Sequence, residues 1–506
     1  MKSIFKAVAI VTIFSVLTRT LGFVFRIFLS RKLGAEGIGL YQMASSILGI
    51  FMTLIASGIP LTTAKFVSKY ESKNDLVKRN KIVTSALVVA LSIAILSSFL
   101  IFILKSVWYI VLTDSRAVEI LIILIPSMIF SSIYAVFRGA LWGKSDYFNC
   151  GLTELLEQII RFALTFIMLL SVSDFLLATK YSAIAFNITC FISAFITFAL
   201  YLKSGKLNFK SGEYKNIIKS ATPITCVRLA SSLVQPLTTL IIPTLLILSG
   251  YTKSEAVASF GVIMGMTFPM LFVPMAIVGS ISMVLIPSLS SMMSKNDYDS
   301  INKNITDAIS ISTFISMLFI PLYLSVGNII GLVLYNNSMS GILLQLSAVC
   351  VFPITMCNLT GSILNALNLE IKSFINYIFG SIALFVSLVV LTPIIHINSI
   401  IVSFFVSMTI ISLLNLNKIK KTIPNLKINL ISCSFKYSLI IIPSSLLGHF
   451  IANICLHLFT NFFSALVGGG FSIIAVIILA KVFNLFDFKD LINLLNRKKH
   501  KKPKSP

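Results

Sequence analysis

Apolar segments about as long as a bilayer is thick recur from one end of this 506-residue chain to the other. A helix needs about 20 predominantly apolar residues to cross the hydrocarbon core. Windows of that kind fall at 8–30, 39–62, 82–104, 118–141, 154–174, 180–202, 221–248, 257–286, 305–333, 341–366, 371–393, 397–417, 433–457 and 462–483. In lipid every backbone N–H and C=O must find its partner inside the segment, and a helix does this alone. The pattern therefore predicts an all-α polytopic membrane protein with about fourteen transmembrane helices. Composition agrees, with 57% hydrophobic and 11% charged residues, against about 25% charged in ordinary soluble domains. A soluble enzyme, a disordered chain and a secreted disulfide scaffold are excluded.

The excess of positive charge reports orientation. Lys and Arg total 41 against 17 Asp and Glu, a formal net charge of +24. The N-terminus, the even-numbered loops and the C-terminal tail hold 31 of the basic residues, and the odd-numbered loops hold six. Basic residues collect on the cytoplasmic side, so both termini are expected in the cytoplasm of a multi-pass plasma-membrane protein. No nucleic-acid partner is needed to explain the charge. The opening run after Lys2 and Lys6 contains Arg19 and Arg26 and is read as a retained first helix rather than a signal peptide. The seven cysteines have no metal-ligand or redox-pair spacing and are expected as small, buried, reduced side chains.

Segment 203–220, rich in Lys, Gly and Ser, divides the first six helices from the next six. The expected organisation is an N-lobe over 1–220, a C-lobe over 221–430, helices 13 and 14 over 431–486, and a basic cytoplasmic tail over 487–506. The two lobes would be parallel repeats about an axis along the membrane normal. Ser72-Lys73-Asn74-Asp75 and Ser294-Lys295-Asn296-Asp297, after helices 2 and 8, hint at that repeat.

Four arginines are placed inside the spans: Arg19 and Arg26 in helix 1, Arg161 in helix 5 and Arg228 in helix 7. Charge within the membrane marks a cavity or a partner. Arg19 and Arg26 are two turns apart and share a face, about 10 Å apart along the axis. Arg161 follows Glu157 by one turn, the spacing of an intrahelical ion pair, so both a structural and a binding role stand open for it. Arg26 has a snorkelling alternative toward the outer surface. With no acidic residue well inside a span, the set predicts an anionic cargo, and a guanidinium takes phosphate or diphosphate bidentately. Pro269 and Pro274 concentrate in helix 8 and are expected to bend it. The four histidines form no ligand or triad pattern, and no phosphate-binding loop is present. No catalytic residue, metal or cofactor is expected. Gly468-Gly469-Gly470 is read as a close-packing surface between helices.

Thr18 through Arg26 (TRTLGFVFR) and Leu33 through Gln42 (LGAEGIGLYQ) resemble the opening of the stage V sporulation protein B family. So do Phe137-Arg138-Gly139, Glu157 through Arg161, Pro223 through Arg228, and Leu285 through Ser290. The resemblance implies the fold of the multidrug/oligosaccharidyl-lipid/polysaccharide flippase superfamily, with two six-helix lobes working by alternating access. It implies translocation of a lipid-linked oligosaccharide, a peptidoglycan precursor for spore cortex synthesis, with cell-wall synthesis enzymes as candidate partners. It places Arg19 and Arg26 where related lipid II flippases carry the helix 1 arginines of a cationic cavity. The chain departs from those flippases in lacking a basic residue in the middle of helix 2 and any in helix 8. A multidrug exporter of the same superfamily and a non-transporting scaffold for cell-wall synthesis are the alternatives.

Overall fold

A computed structural model describes residues 2–203, 205–209, 212–293, 297–423, 426, 430–483 and 485. The predicted tail over 487–506, the Ser294-Lys295-Asn296 segment and the side chain of Cys433 lie outside the described residues. The chain parts into two compact units, Met1–Gly265 and Met266–Pro506. No strand occurs among the described residues.

The first unit holds α1 (Lys2–Ala56), α2 (Gly58–Glu71), α3 (Leu76–Ile103), α4 (Lys105–Val111) and α5 (Ser115–Gly143). It continues with α6 (Tyr147–Met168), α7 (Phe175–Leu202), α8 (Tyr214–Ser232), α9 (Val234–Leu248) and α10 (Lys253–Gly261), then enters a π-helical segment, Val262–Thr267. The second unit holds α11 (Phe268–Leu271), α12 (Val273–Met293), α13 (Tyr298–Tyr335), α14 (Ser338–Ser347) and α15 (Val351–Ala366). Helices α16 (Glu370–Ile395), α17 (Asn398–Thr422), α18 (Leu430–Leu458) and α19 (Asn461–Val482) complete it.

Twelve helical runs among the described residues are long and apolar enough to cross a membrane. The difference from the fourteen windows has two physical sources. Run Ile10–Glu71 counts once, yet its 62 residues would measure about 93 Å as one helix, about three hydrocarbon thicknesses. It is broken at Gly34, which has φ 69° and ψ −176°, a backbone conformation that favours glycine. Helix α6 corresponds to window 154–174 and is left out of the twelve because Glu154, Glu157 and Arg161 sit within it.

Outward faces are as apolar as the core, which fits lipid rather than water. In α3, Ile101 is fully buried while Leu96, on another face, is 72% exposed. The Leu33–Gln42 block is the corner of the first unit. After the Gly34 break, Glu36 pairs with Arg116 at 2.6 Å. Gly39 then crosses α10 so closely that a Cβ there would meet the Val257 carbonyl.

Several helix connections share one tight geometry. Asn74, Ser145 and Asn368 each take positive φ, and the next amide reaches back five residues: Asp75 to Tyr70, Asp146 to Leu141, Leu369 to Leu364. This is the bond of a Schellman-type helix end. Asp75 and Asp146 then cap the following helix by accepting from the Lys78 and Asn149 amides. Asp297 caps α13 through the Ser300 amide, and its own N–H also reaches back five residues, to Met292. The aspartates at the two ends of the sequence echo thus do the same work.

In the second unit Val278, Leu289, Ile301, Ile305, Leu359, Ile363, Leu416 and Ile419 form the main core between α12, α13, α15 and α17. The Gly468 surface is a helix contact, with a Cβ at 468 meeting the Ala452 side chain and the Gly448 carbonyl of α18. Among the cysteines, Cys150, Cys190, Cys350 and Cys455 are buried and Cys357 is half-buried. Cys226 is exposed on α8, a correction to the expectation of uniform burial.

Candidate functional site

Predicted helix 8 is carried by consecutive helical segments. It runs as α10, the π segment, α11 and α12. Pro269 stands in the first turn of α11 and Pro274 in the first turn of α12, where a missing N–H is tolerated. A proline at 269 offers no proton to the carbonyl four residues back, at Gly265, or five back, at Met264. Both carbonyls are taken up by α1. Arg26 donates Nη2–H to Met264 O at 2.8 Å and Nε–H to Gly265 O at 3.3 Å. Gln42 Nε2 also reaches Met264 O at 3.4 Å, and Ser30 Oγ reaches Gly265 O at 3.5 Å. Arg26 is thereby a partner of the interrupted helix.

A cavity of about 850 Å³ opens within the first unit. The end of α1, the start of α2, and α5, α6, α7 and α8 supply its wall. Gly139 lets α5 approach α2 to the point where a Cβ would touch the Pro60 carbonyl, which sets that side of the cavity. Arg138 lines it and donates Nη2–H to Glu154 at 2.7 Å. Glu157 lines it and accepts from Arg161, one turn on in α6. The Arg161 guanidinium lies behind that carboxylate, 4.7 Å from the centre of the Phe186 ring. Arg228, on α8, lines the cavity and is exposed, with no side-chain hydrogen bond or ion pair among the described residues.

Among the described residues, Ser57 Oγ, Arg138 Nε and Ser193 Oγ on the cavity-lining residues are buried without a hydrogen-bond partner, while the Tyr134 hydroxyl has the Glu157 carboxylate as its neighbour. Buried polar atoms are nearly always paired in folded proteins. These atoms have almost no accessible surface, so they face the helix packing around the cavity rather than its open space.

The structure brings Glu157, Arg161 and Arg228 to or behind this cavity. Arg19 lies exposed on α1, off the cavity wall and without a hydrogen bond or ion pair among the described residues. It belongs to the stretch of α1 that runs alongside α6 in the same direction. Phe14 meets Phe148, Phe25 and Phe28 meet Phe162, and Phe28 meets Phe166.

Sequence reasoning missed Arg138, Glu154, Tyr134 and Ser193. Arg138 lies near the cytoplasmic end of its window and was counted with the loop charge, although α5 continues to Gly143. The one available signal was its place in Phe137-Arg138-Gly139. Glu154 likewise sat at a predicted helix end.

The sequence pattern described as polysaccharide biosynthesis protein matches residues 4–293, more than half of the chain and the whole of the first unit but for its first three residues. The chain belongs to that family. It is 23% identical over 439 residues to stage V sporulation protein B of Bacillus subtilis (strain 168), covering 83% of this chain and 84% of that one. It is 24% identical over 161 residues to the lipid II flippase MurJ of the same organism, covering 30% of each chain. Among solved structures, the inward closed conformation of the lipid II flippase MurJ superposes with a TM-score of 0.71 at 18% identity, over 95% of this chain and 99% of that one. An inward-facing multidrug resistance transporter of the MATE family and MOP superfamily gives 0.69 at 14% identity, over 81% and 95%. The fold is that of this transporter superfamily, and the protein is a multi-pass membrane protein, consistent with the plasma membrane.

Proposed function

We propose that the protein is a flippase for a polyprenyl-diphosphate-linked oligosaccharide, working by alternating access, and that it supplies a peptidoglycan precursor for spore cortex synthesis. The observation that carries the reading is the cavity of about 850 Å³ in the first unit, with Arg228 in its wall and without an ion-pair partner among the described residues. A guanidinium without a carboxylate is ready to take a diphosphate in two parallel hydrogen bonds. Membership of a polysaccharide biosynthesis family and the similarity to stage V sporulation protein B support a glycan cargo.

In this reading the diphosphate-sugar head enters from the cytoplasmic leaflet at Arg228, passes the Arg161–Glu157 pair, and reaches Arg19. The prenyl chain stays in lipid. Arg26 holds the interrupted helix open. Fourteen spans in two six-helix lobes plus two C-terminal helices, with both termini cytoplasmic, complete the arrangement. Transport needs no chemistry on the cargo, so no catalytic residue is assigned.

The test is a leaflet-accessibility assay in proteoliposomes with a fluorescent polyprenyl-diphosphate-linked disaccharide. Arg228→Ala and Arg19→Ala should each lower the flipping rate by roughly tenfold or more, the loss of one charge-assisted bidentate contact. Lysine at either position should restore part of it, because the charge survives and the fork does not. Wild-type rates in both alanine variants would refute the anion path. Efflux of drugs without movement of the lipid-linked sugar would favour the multidrug exporter.

A further inference from the structure

A second space in the first unit lies on a different face of α5 and α7 from the cavity. Phe130 and Phe137 of α5 and Phe191 and Phe198 of α7 line it, with the buried Ala194 as its floor and Leu207 at one end. The rings meet in two pairs, Phe130 with Phe191 at 5.2 Å and Phe137 with Phe198 at 5.1 Å between centroids. The pairs are seven residues apart on both helices, so the groove follows them for about 10 Å. Its volume is about 240 Å³, below the roughly 300–1,000 Å³ of sites for drug-sized ligands, which suits one hydrocarbon chain and no headgroup. Phe195, also in the wall, is 64% exposed, so the groove opens outward, where the bundle meets lipid. Adjacent residues serve the two spaces: Phe137 and Ala194 line the groove, Arg138 and Ser193 the cavity. The packed α5–α7 pair therefore separates them, and a cargo whose head sits in the cavity cannot lay its tail here.

The Leu207 end of the groove carries positive charge. After α7 the chain folds back: Gly205 lies so close to the Tyr201 ring that a Cβ would meet it, and the Tyr201 hydroxyl reaches the Lys206 carbonyl at 3.4 Å. The Asn208 amide donates to Thr84 Oγ1 at 2.8 Å and the Glu213 amide to Ser85 Oγ at 2.9 Å, which pins this connection to α3. Leu207 is thereby held against the groove with Lys206 beside it in the chain, and Lys203 follows Phe198 by five residues. Both lysines are exposed and make no ion pair among the described residues. The carboxylates of the same helix ends are engaged, Glu71 with Arg79 and Glu213 with the Asn216 side chain. Basic pockets between membrane helices on the cytoplasmic side bind anionic headgroups, and this end belongs to the side expected to be cytoplasmic. We propose that the groove holds one acyl chain of an anionic phospholipid, with its phosphate taken by Lys203 and Lys206. The site is independent of the flippase reading. Bound there, the lipid ties the α7–α8 connection to α3, α5 and α7.

The experiment is native mass spectrometry of the full-length protein released from detergent, titrated with phosphatidylglycerol and with phosphatidylcholine of the same acyl chains. Wild type should hold one phosphatidylglycerol roughly tenfold or more tightly than phosphatidylcholine, at about fivefold per lysine near an anionic headgroup. Lys203→Gln combined with Lys206→Gln should bring phosphatidylglycerol down to the level of phosphatidylcholine and leave phosphatidylcholine unchanged. Ala194→Phe fills the floor of the groove and should weaken both lipids severalfold. Should that variant fail to fold, the lysine variant, which alters only exposed side chains, carries the test. Equal affinity of wild type for the two lipids, a phosphatidylglycerol preference that survives the lysine variant, or wild-type binding of both lipids in folded Ala194→Phe overturns the site. Tighter binding of a polyprenyl phosphate than of phosphatidylglycerol, lost in Ala194→Phe, also overturns it and gives the groove to a prenyl chain.

Discussion

Removing Arg26 tests the polar contact that ties α1 to the carbonyls ahead of Pro269. Arg26→Met keeps the aliphatic stem and deletes both donors, leaving Met264 O and Gly265 O without their main partners. A hydrogen bond from a charged group contributes about 1.5–3 kcal/mol when its loss strands a buried partner. The 2.8 Å bond earns the full figure and the 3.3 Å bond less, while Gln42 and Ser30 remain as weaker donors at 3.4 and 3.5 Å. The expected loss is about 2–4 kcal/mol in total, which for a chain of 506 residues is a fall in melting temperature on the order of 2–4 °C in detergent. Pro269→Ala restores an N–H that can reach one of these carbonyls. In that background Arg26→Met should cost about half as much, a coupling of about 1–2 kcal/mol in the double-mutant cycle. Additive losses, or an Arg26→Met protein that melts with wild type, would refute the capping argument and return Arg26 to the candidate anion ligands.

Two further outcomes follow from local geometry. Ser145 holds φ 59° at the turn between α5 and α6, a conformation that costs an L-residue about 1–2 kcal/mol. Ser145→Gly should therefore raise the melting temperature in detergent by a few degrees, and a fall would show that the side chain matters to the turn. Lys144, just past the end of α5, has its ammonium pushed down to about 8 by burial, with Arg79 adding to the effect. An unfolded lysine titrates near 10.4, so between about pH 8 and 10.4 the unfolded chain binds the extra proton and folding stability rises with pH. Lys144→Gln should flatten that rise in a melting series, and an identical slope in the variant would assign it to other groups.

The all-helical, multi-pass character was legible because hydropathy over about 20 residues is a direct physical requirement of lipid. The Arg161–Glu157 pair was legible because its spacing is a property of one helix. Window 154–174 was found although α6 is too charged to qualify by composition alone, since its apolar face still reads through. What stayed hidden depends on chain brought together from afar. Pro269 announces a break, but nothing local says that Arg26, more than two hundred residues earlier, satisfies the freed carbonyls. Arg138 was hidden by arithmetic: a basic residue one turn inside a helix end looks the same as loop charge. Tyr134 and Ser193 were hidden because hydroxyls within apolar runs usually bond to their own helix, as Thr197 does to the Ser193 carbonyl.

The charges of α6 bear on how the protein is made. An ionised side chain costs about 2.5–3.5 kcal/mol at mid-bilayer and less toward the interface, so the three charges of α6 disfavour its entering lipid alone. Its two carboxylates are each matched, Glu157 by Arg161 on the same helix and Glu154 by Arg138 on α5, and the Ser145 turn joins α5 and α6 directly. The hairpin is thus nearly neutral where each helix by itself is not. The pairing predicts that α5 and α6 enter the bilayer together as a hairpin rather than one after the other.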